Sequence, residues 1–129
     1  MAEKTKLQLE YIINCSPKVL FNRLSTASGL SEWFADDVRV KGNLFTFVWD
    51  ESELVAEKKF HRENKMVRYE WLDKDLAKEE NYFEFIVTQD DLTNDVSLLI
   101  TDFTDEEDME STTDLWNTQI IKLKQLLGS

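Results

Sequence analysis

The sequence predicts an α+β fold, and three stretches predict it: a strand-period segment near the amino end, short β-type runs through the middle, and a helix-period segment near the carboxyl end. A chain of 129 residues buries about 68% of its unfolded surface on folding, enough for one core without disulfide or metal staples. It shows no repeat and no linker, so a single domain over residues 1–129 is expected.

Along the chain, Leu7, Leu9, Tyr11 and Ile13 alternate with Lys6, Gln8, Glu10 and Ile12, the period of a half-buried strand ending at Asn14. Ser16 before Pro17 is a helix start, because the hydroxyl caps and proline tolerates the first helical position. Val19, Leu20, Phe21 and Leu24 follow at helical spacing. Ser28-Gly29 interrupts, and Leu30, Trp33 and Phe34 at i, i+3 and i+4 predict a second short helix bent against the first. From Asp36 to Phe103 the pattern turns to short β-type runs without proline. Phe45, Phe47 and Trp49 share a face after Gly42-Asn43, and Leu54, Ala56 and Phe60 lie on the next run. Val67, Tyr69 and Trp71, then Phe83, Phe85 and Val87, then Val96, Leu98 and Ile100 complete the series. The connections at 50–52, 62–64 and 90–94 are of hairpin length, which predicts an antiparallel meander. Met109, Trp116, Ile120, Leu123 and Leu127 predict a helix over 105–127 with Trp116 buried against the sheet. Thr104 and Glu107 fit a capping box, acids at 105–108 suit the positive end of the helix dipole, and Gly128 sits where a helix stop belongs.

Fifteen Lys and Arg against 26 Asp and Glu give a net charge of −11. That balance lacks the basic face a nucleic-acid binder needs, so no nucleic-acid partner is expected. Hydrophobic residues at 42% and aromatics at 12% belong to a folded chain, which makes the charges a solvated shell. No stretch approaches the ~20 apolar residues of a membrane span. The single Cys15 excludes an internal disulfide, and the residues after Met1 form no signal core. A cytoplasmic protein is the expectation.

Few residues point to chemistry. His61 lies in the charged stretch Lys58–Glu63 without partners at ligand spacing and reads as a surface strand residue. Cys15 precedes a helix N-terminus, which can lend a thiol thiolate character, but it reads first as a packing residue. The acids at 102, 105–108, 110 and 114 have no turn glycine for a calcium loop and are expected on successive sides of a helix start, not as a metal site. Gly29, Gly42 and Gly128 form no phosphate loop. Trp33, Trp49, Trp71 and Trp116 each fall on the expected buried face of a different element, where they fill a core or line an apolar pocket.

Pro17-Lys18-Val19-Leu20-Phe21-Asn22-Arg23-Leu24-Ser25-Thr26, then Leu30-Ser31-Glu32-Trp33-Phe34, then Gly42–Phe47, Lys65–Trp71 and a last helix with Trp116 ahead of Leu123 and Leu126 form a pattern spanning nearly the whole chain. It resembles the helix-grip fold of the START-like (SRPBCC) superfamily, closest to the branch related to activators of the heat-shock chaperone ATPase. The strand at Met66 lacks the usual preceding proline, Gly42 lacks a second glycine, and the charged loop Asp73–Glu80 is unlike a polyketide-cyclase pocket. No family catalytic residue maps onto this chain. The resemblance implies a strongly bent antiparallel sheet wrapped around helix 105–127, with two short helices after the first strand and a gap that holds an apolar ligand. It implies a non-enzymatic module for a small hydrophobic or lipid-like ligand, without cofactor or metal. Trp33, Phe47, Trp49, Tyr69, Trp71, Phe83, Phe85 and Trp116 are the expected ligand-binding residues. The alternative is a chaperone-cofactor-like interaction domain whose acidic surface meets a chaperone or other basic protein.

Overall fold

The computed structural model describes residues 4–50, 52–72 and 81–128. The expected turn residue Glu51 and the charged loop 73–80 lie outside the described residues. Strand β1 (Thr5–Ile13) leads into helices α1 (Pro17–Ser25) and α2 (Ala27–Leu30). Six strands follow: β2 (Asp37–Lys41), β3 (Leu44–Trp49), β4 (Ser52–Arg62), β5 (Met66–Trp71), β6 (Tyr82–Gln89) and β7 (Val96–Thr104). A 3₁₀ turn, Glu106–Asp108, then opens the long helix α3 (Met109–Leu127).

The strands form one antiparallel sheet in the order β1-β7-β6-β5-β4-β3-β2. β2 to β7 are the expected meander, and β1 closes the far edge by pairing with β7, Leu7 opposite Asp102 and Ile13 opposite Val96. Helices α1 and α2 therefore carry the chain from one sheet edge to the other. β2 has no counterpart in the sequence reading. Of its five residues only Val38 is buried, and an edge strand with Arg39 and Lys41 facing water gives almost no hydrophobic alternation to detect.

The start of α1 follows the sequence: the Ser16 Oγ accepts from the Val19 N–H at 3.2 Å and Pro17 takes the first turn. Its end is held by the rest of the molecule. Three successive carbonyls, which a helix terminus leaves without internal partners, each accept a side-chain donor from another element. Trp33 Nε1 donates to Arg23 at 2.8 Å, the Tyr69 hydroxyl to Leu24 at 2.8 Å and Lys58 Nζ to Ser25 at 3.0 Å.

The second helix differs from the expectation in register. Ser28 and Gly29 lie inside α2 instead of interrupting, and Trp33 and Phe34 lie in the turn beyond it. Thr26 sets this register, because its Oγ1 accepts from the Gly29 N–H and donates to the Asn22 carbonyl. The winding stops where Trp33, Phe34 and Ala35 all direct their N–H groups at the Leu30 carbonyl. A Cβ on Gly29 would stand 2.5 Å from the Asn22 oxygen and 2.8 Å from the Arg23 Cα, so α1 and α2 can approach this closely at glycine alone.

The expected capping box is also absent. Thr104 ends β7 buried and facing α3, so its hydroxyl bonds to that of Thr112 at 2.9 Å instead of capping the helix start, which carries no side-chain cap. Gly128 closes α3 as expected, left-handed at φ 70°, with its N–H directed at the Lys124 and Gln125 carbonyls.

Gly29→Ala tests the α1–α2 junction. Two of the three closest contacts are to backbone, which yields little, so the substitution is expected to lower stability by about 1–3 kcal/mol, read as a fall in the urea midpoint. An unchanged midpoint would mean that the two helices separate freely.

Candidate functional site

The inner face of the sheet is aromatic because the strand period places Phe45 and Phe47, Tyr69 and Trp71, and Phe83 and Phe85 on one side of three strands. Phe34 reaches this face from the turn after α2. Its ring lies 5.2 Å from those of Phe47 and Phe83, 5.4 Å from Trp49 and 5.6 Å from Trp116. Its carbonyl accepts two further bonds at 2.8 Å, from Trp49 Nε1 of β3 and Gln119 Nε2 of α3.

Above these rings, between the sheet and α3, lies a cavity of about 420 Å³. Phe34, Trp49, Trp71, Phe83 and Trp116 supply its aromatic walls, and Asp102, Thr112, Leu115 and Gln119 complete the lining. Leu115 is 60% exposed and belongs to the rim. Of the eight residues expected at a site, the structure brings Trp49, Trp71, Phe83 and Trp116 to this cavity. Trp33, Phe47, Tyr69 and Phe85 lie buried in the core. Two of these four are fixed by bonds to the end of α1, Trp33 through its indole N–H and Tyr69 through its hydroxyl, and burial pushes the Tyr69 phenol far above its ordinary value.

The sequence reading missed Phe34, Thr112, Leu115 and Gln119 as wall residues. It also placed Asp102 with the solvated acids. The structure turns Asp102 inward, because Leu98, Ile100 and Asp102 share one face of β7, and that alternation was the available signal. Trp116 Nε1 donates to Asp102 Oδ2 at 2.8 Å and the Phe103 N–H donates to Oδ1 at 2.8 Å. Burial pushes the Asp102 carboxyl above its ordinary value of 3.8, opposed by these two bonds and by the charge of Lys4.

The remaining acids behave differently. Asp105, Glu107 and Asp108 bring carboxylate oxygens within 4.8 Å of one another, which corrects the expectation that they point to successive sides. A 3₁₀ turn has three residues per turn, so positions 105 and 108 eclipse. Glu107 and Asp108 are exposed, and Lys4 Nζ lies 3.8 Å from Asp105. His61 is exposed on β4, its ring edge-on to Phe21 at 5.3 Å. Cys15 is half-buried, and burial pushes its thiol up more strongly than a hydrogen bond with the Leu20 backbone pulls it down.

A family model described as a START-like superfamily domain matches residues 1–129. The chain belongs to the START-like superfamily. Among solved structures, this START-like chain is similar to BfR322 from Bacteroides fragilis at 33% identity and TM-score 0.67, covering 98% of this chain and 93% of that one. It is similar in fold to the Aha1 dimer from Colwellia psychrerythraea at 17% identity and TM-score 0.76, covering 93% of each chain. The protein MLL2253 from Mesorhizobium loti matches at 20% identity and TM-score 0.77, over 96% of this chain and 97% of that one. No curated protein matches the chain. Among the described residues, no helix is long and apolar enough to cross a membrane.

The buried carboxyl of this START-like site gives a pH prediction. Unfolded, Asp102 titrates near 3.8; folded, it titrates higher, so between the two values the native state holds the proton more tightly. The stability contributed by this group is fully present below 3.8 and is lost as pH rises through the folded value. Asp102→Asn abolishes that titration. Its amide cannot accept from both Trp116 and Phe103, a pH-independent cost of about 1 kcal/mol. The stability difference is expected to move in favour of the variant as pH rises from about 3 to about 7. Denaturant midpoints across that range measure it, and a constant difference would refute the shift.

Proposed function

We propose that the protein is a non-enzymatic binding module that takes a small hydrophobic or lipid-like ligand into the cavity between α3 and the sheet. The observation that carries this reading is the cavity itself, about 420 Å³ of space walled by five aromatic side chains beside a buried aromatic core. Pockets for drug-sized ligands run from about 300 to 1,000 Å³ and combine apolar walls with a few polar groups, as here. START-like domains are typically ligand-binding or interaction modules. The lining supports binding over catalysis: Asp102 is its one titratable side chain among the described residues, and a proton relay or nucleophile activation needs a second group in reach.

A second reading is a chaperone-cofactor-like interaction through the acidic surface. It is favoured by the converging carboxylates of Asp105, Glu107 and Asp108 and by the fold shared with Aha1. Salt separates the two, because exposed charges are screened within about 8 Å at physiological ionic strength while an apolar cavity is not.

Nile red, a neutral environment-sensitive dye, is expected to saturate one site, quench tryptophan fluorescence and bind equally at low and high salt. Leu115→Trp narrows the rim from an exposed position, so it is expected to weaken the dye about tenfold or more with little change in the unfolding midpoint. A parent protein with no saturable dye binding would remove the ligand-binding reading. A partner captured in a salt-sensitive manner and released by charge reversal at Glu107 and Asp108 would favour the second.

A further inference from the structure

We infer that the cavity selects a positively charged ligand: an organic ammonium bearing apolar groups, seated against the faces of Trp49, Trp71 and Trp116 with Asp102 as its counter-ion. The inference rests on the ligand-binding reading above and adds the charge of the ligand to it.

Three observations converge on a cation. The first is the carboxylate. Asp102 stands in the wall, mostly buried, and accepts from Trp116 Nε1 and the Phe103 N–H. An ionised carboxylate offers about four acceptor sites, so these two bonds leave acceptor capacity. Among the described residues, no Lys, Arg or His nitrogen comes within ion-pairing distance of it. Lys4 acts on it only from beyond pairing distance. A charge held out of water without a paired opposite charge is costly, and a ligand cation in the cavity offsets that cost.

The second is what the walls present. The indole N–H groups of Trp49 and Trp116 are directed at Phe34 O and Asp102, and Gln119 Nε2 is directed at Phe34 O. These two indole N–H groups are therefore spent within the fold and leave no donor for an anionic headgroup, while indole rings in a cavity wall attract cations more strongly than other side-chain rings do. The third is the absence, among the described residues, of any Lys, Arg or His from the lining, so that these walls offer a carboxylate or phosphate headgroup no opposite charge. The net charge of −11 adds a field that concentrates cations and repels anions.

Two probes of equal shape isolate the charge: benzyltrimethylammonium and its uncharged carbon isostere neopentylbenzene, each measured by displacement of Nile red. The parent protein is expected to prefer the cation by about tenfold or more. Asp102→Asn is expected to bring the two probes within about threefold of each other, with a cooperative denaturant transition reporting that the variant is folded. The parent ratio decides the matter whether or not the variant folds. Equal or tighter binding of neopentylbenzene by the parent overturns the charge selection and leaves the apolar ligand site standing. An unchanged ratio in a folded Asp102→Asn overturns the role of Asp102. Failure of the dye and both probes to bind overturns the ligand-binding reading and the inference with it.

Discussion

Phe34 ties the turn after α2, the sheet and the long helix together at one residue. Its carbonyl lies beyond the end of α2, where no intrahelical donor reaches it, and it accepts one bond from the sheet through Trp49 and one from α3 through Gln119. Its ring enters the aromatic layer on the inner face of the sheet. One residue therefore links sheet and long helix on this side of the cavity. It can do so because α2 ends abruptly at Leu30, and the close approach of α2 to α1 at Gly29 determines where α2 begins.

The cavity follows from that spacing. Below Phe34, Phe47, Tyr69 and Phe85 are buried among one another's rings, with Tyr69 and Phe83 stacked at 5.0 Å. Above it, α3 presents Thr112, Leu115 and Gln119, which are too small or too polar to fill the space opposite Trp49 and Trp71. A second tie, between Tyr11 of β1 and Asn117 at 2.5 Å, and a third, between Thr104 and Thr112, hold α3 at this height on the other side. The space is therefore kept open by directional hydrogen bonds against the tendency of apolar walls to collapse.

Asp102 is where burial and charge oppose each other. An apolar residue at this position would continue the Leu98–Ile100 face of β7 and avoid the desolvation that raises the carboxyl. The carboxylate instead holds the Trp116 indole and gives the cavity its one charged group among the described residues. The outer face of the sheet handles charge differently. There Arg68 lies opposite Glu84, bonds one of its carboxylate oxygens at 2.6 and 2.7 Å, and stacks over Tyr82 and Phe60, so a buried acid is neutralised within the fold. Asp102 has no such cation beside it among the described residues.

The sequence by itself determined what depends on neighbours along the chain. Alternation placed Phe83 and Phe85 on one face of a strand, Ser16-Pro17 opened α1, and Gly128 stopped α3, because strand and helix periods and terminal caps act over a few residues. The family pattern, carried by packing positions such as Leu30, Trp33 and Phe34, was legible for the same reason. Tertiary structure decided the rest. It paired β1 with β7, found an edge strand at Asp37–Lys41, and moved Trp33 and Phe34 from a helix into a turn. It also divided eight similar aromatic candidates into four that fill the core and four that wall a cavity, a distinction that periodicity cannot make. All eight satisfy the same local rule of facing inward. Whether an inward ring meets another ring or empty space depends on the height at which α3 is held over the sheet, and contacts between Phe34, Trp49 and Gln119 help to set that height.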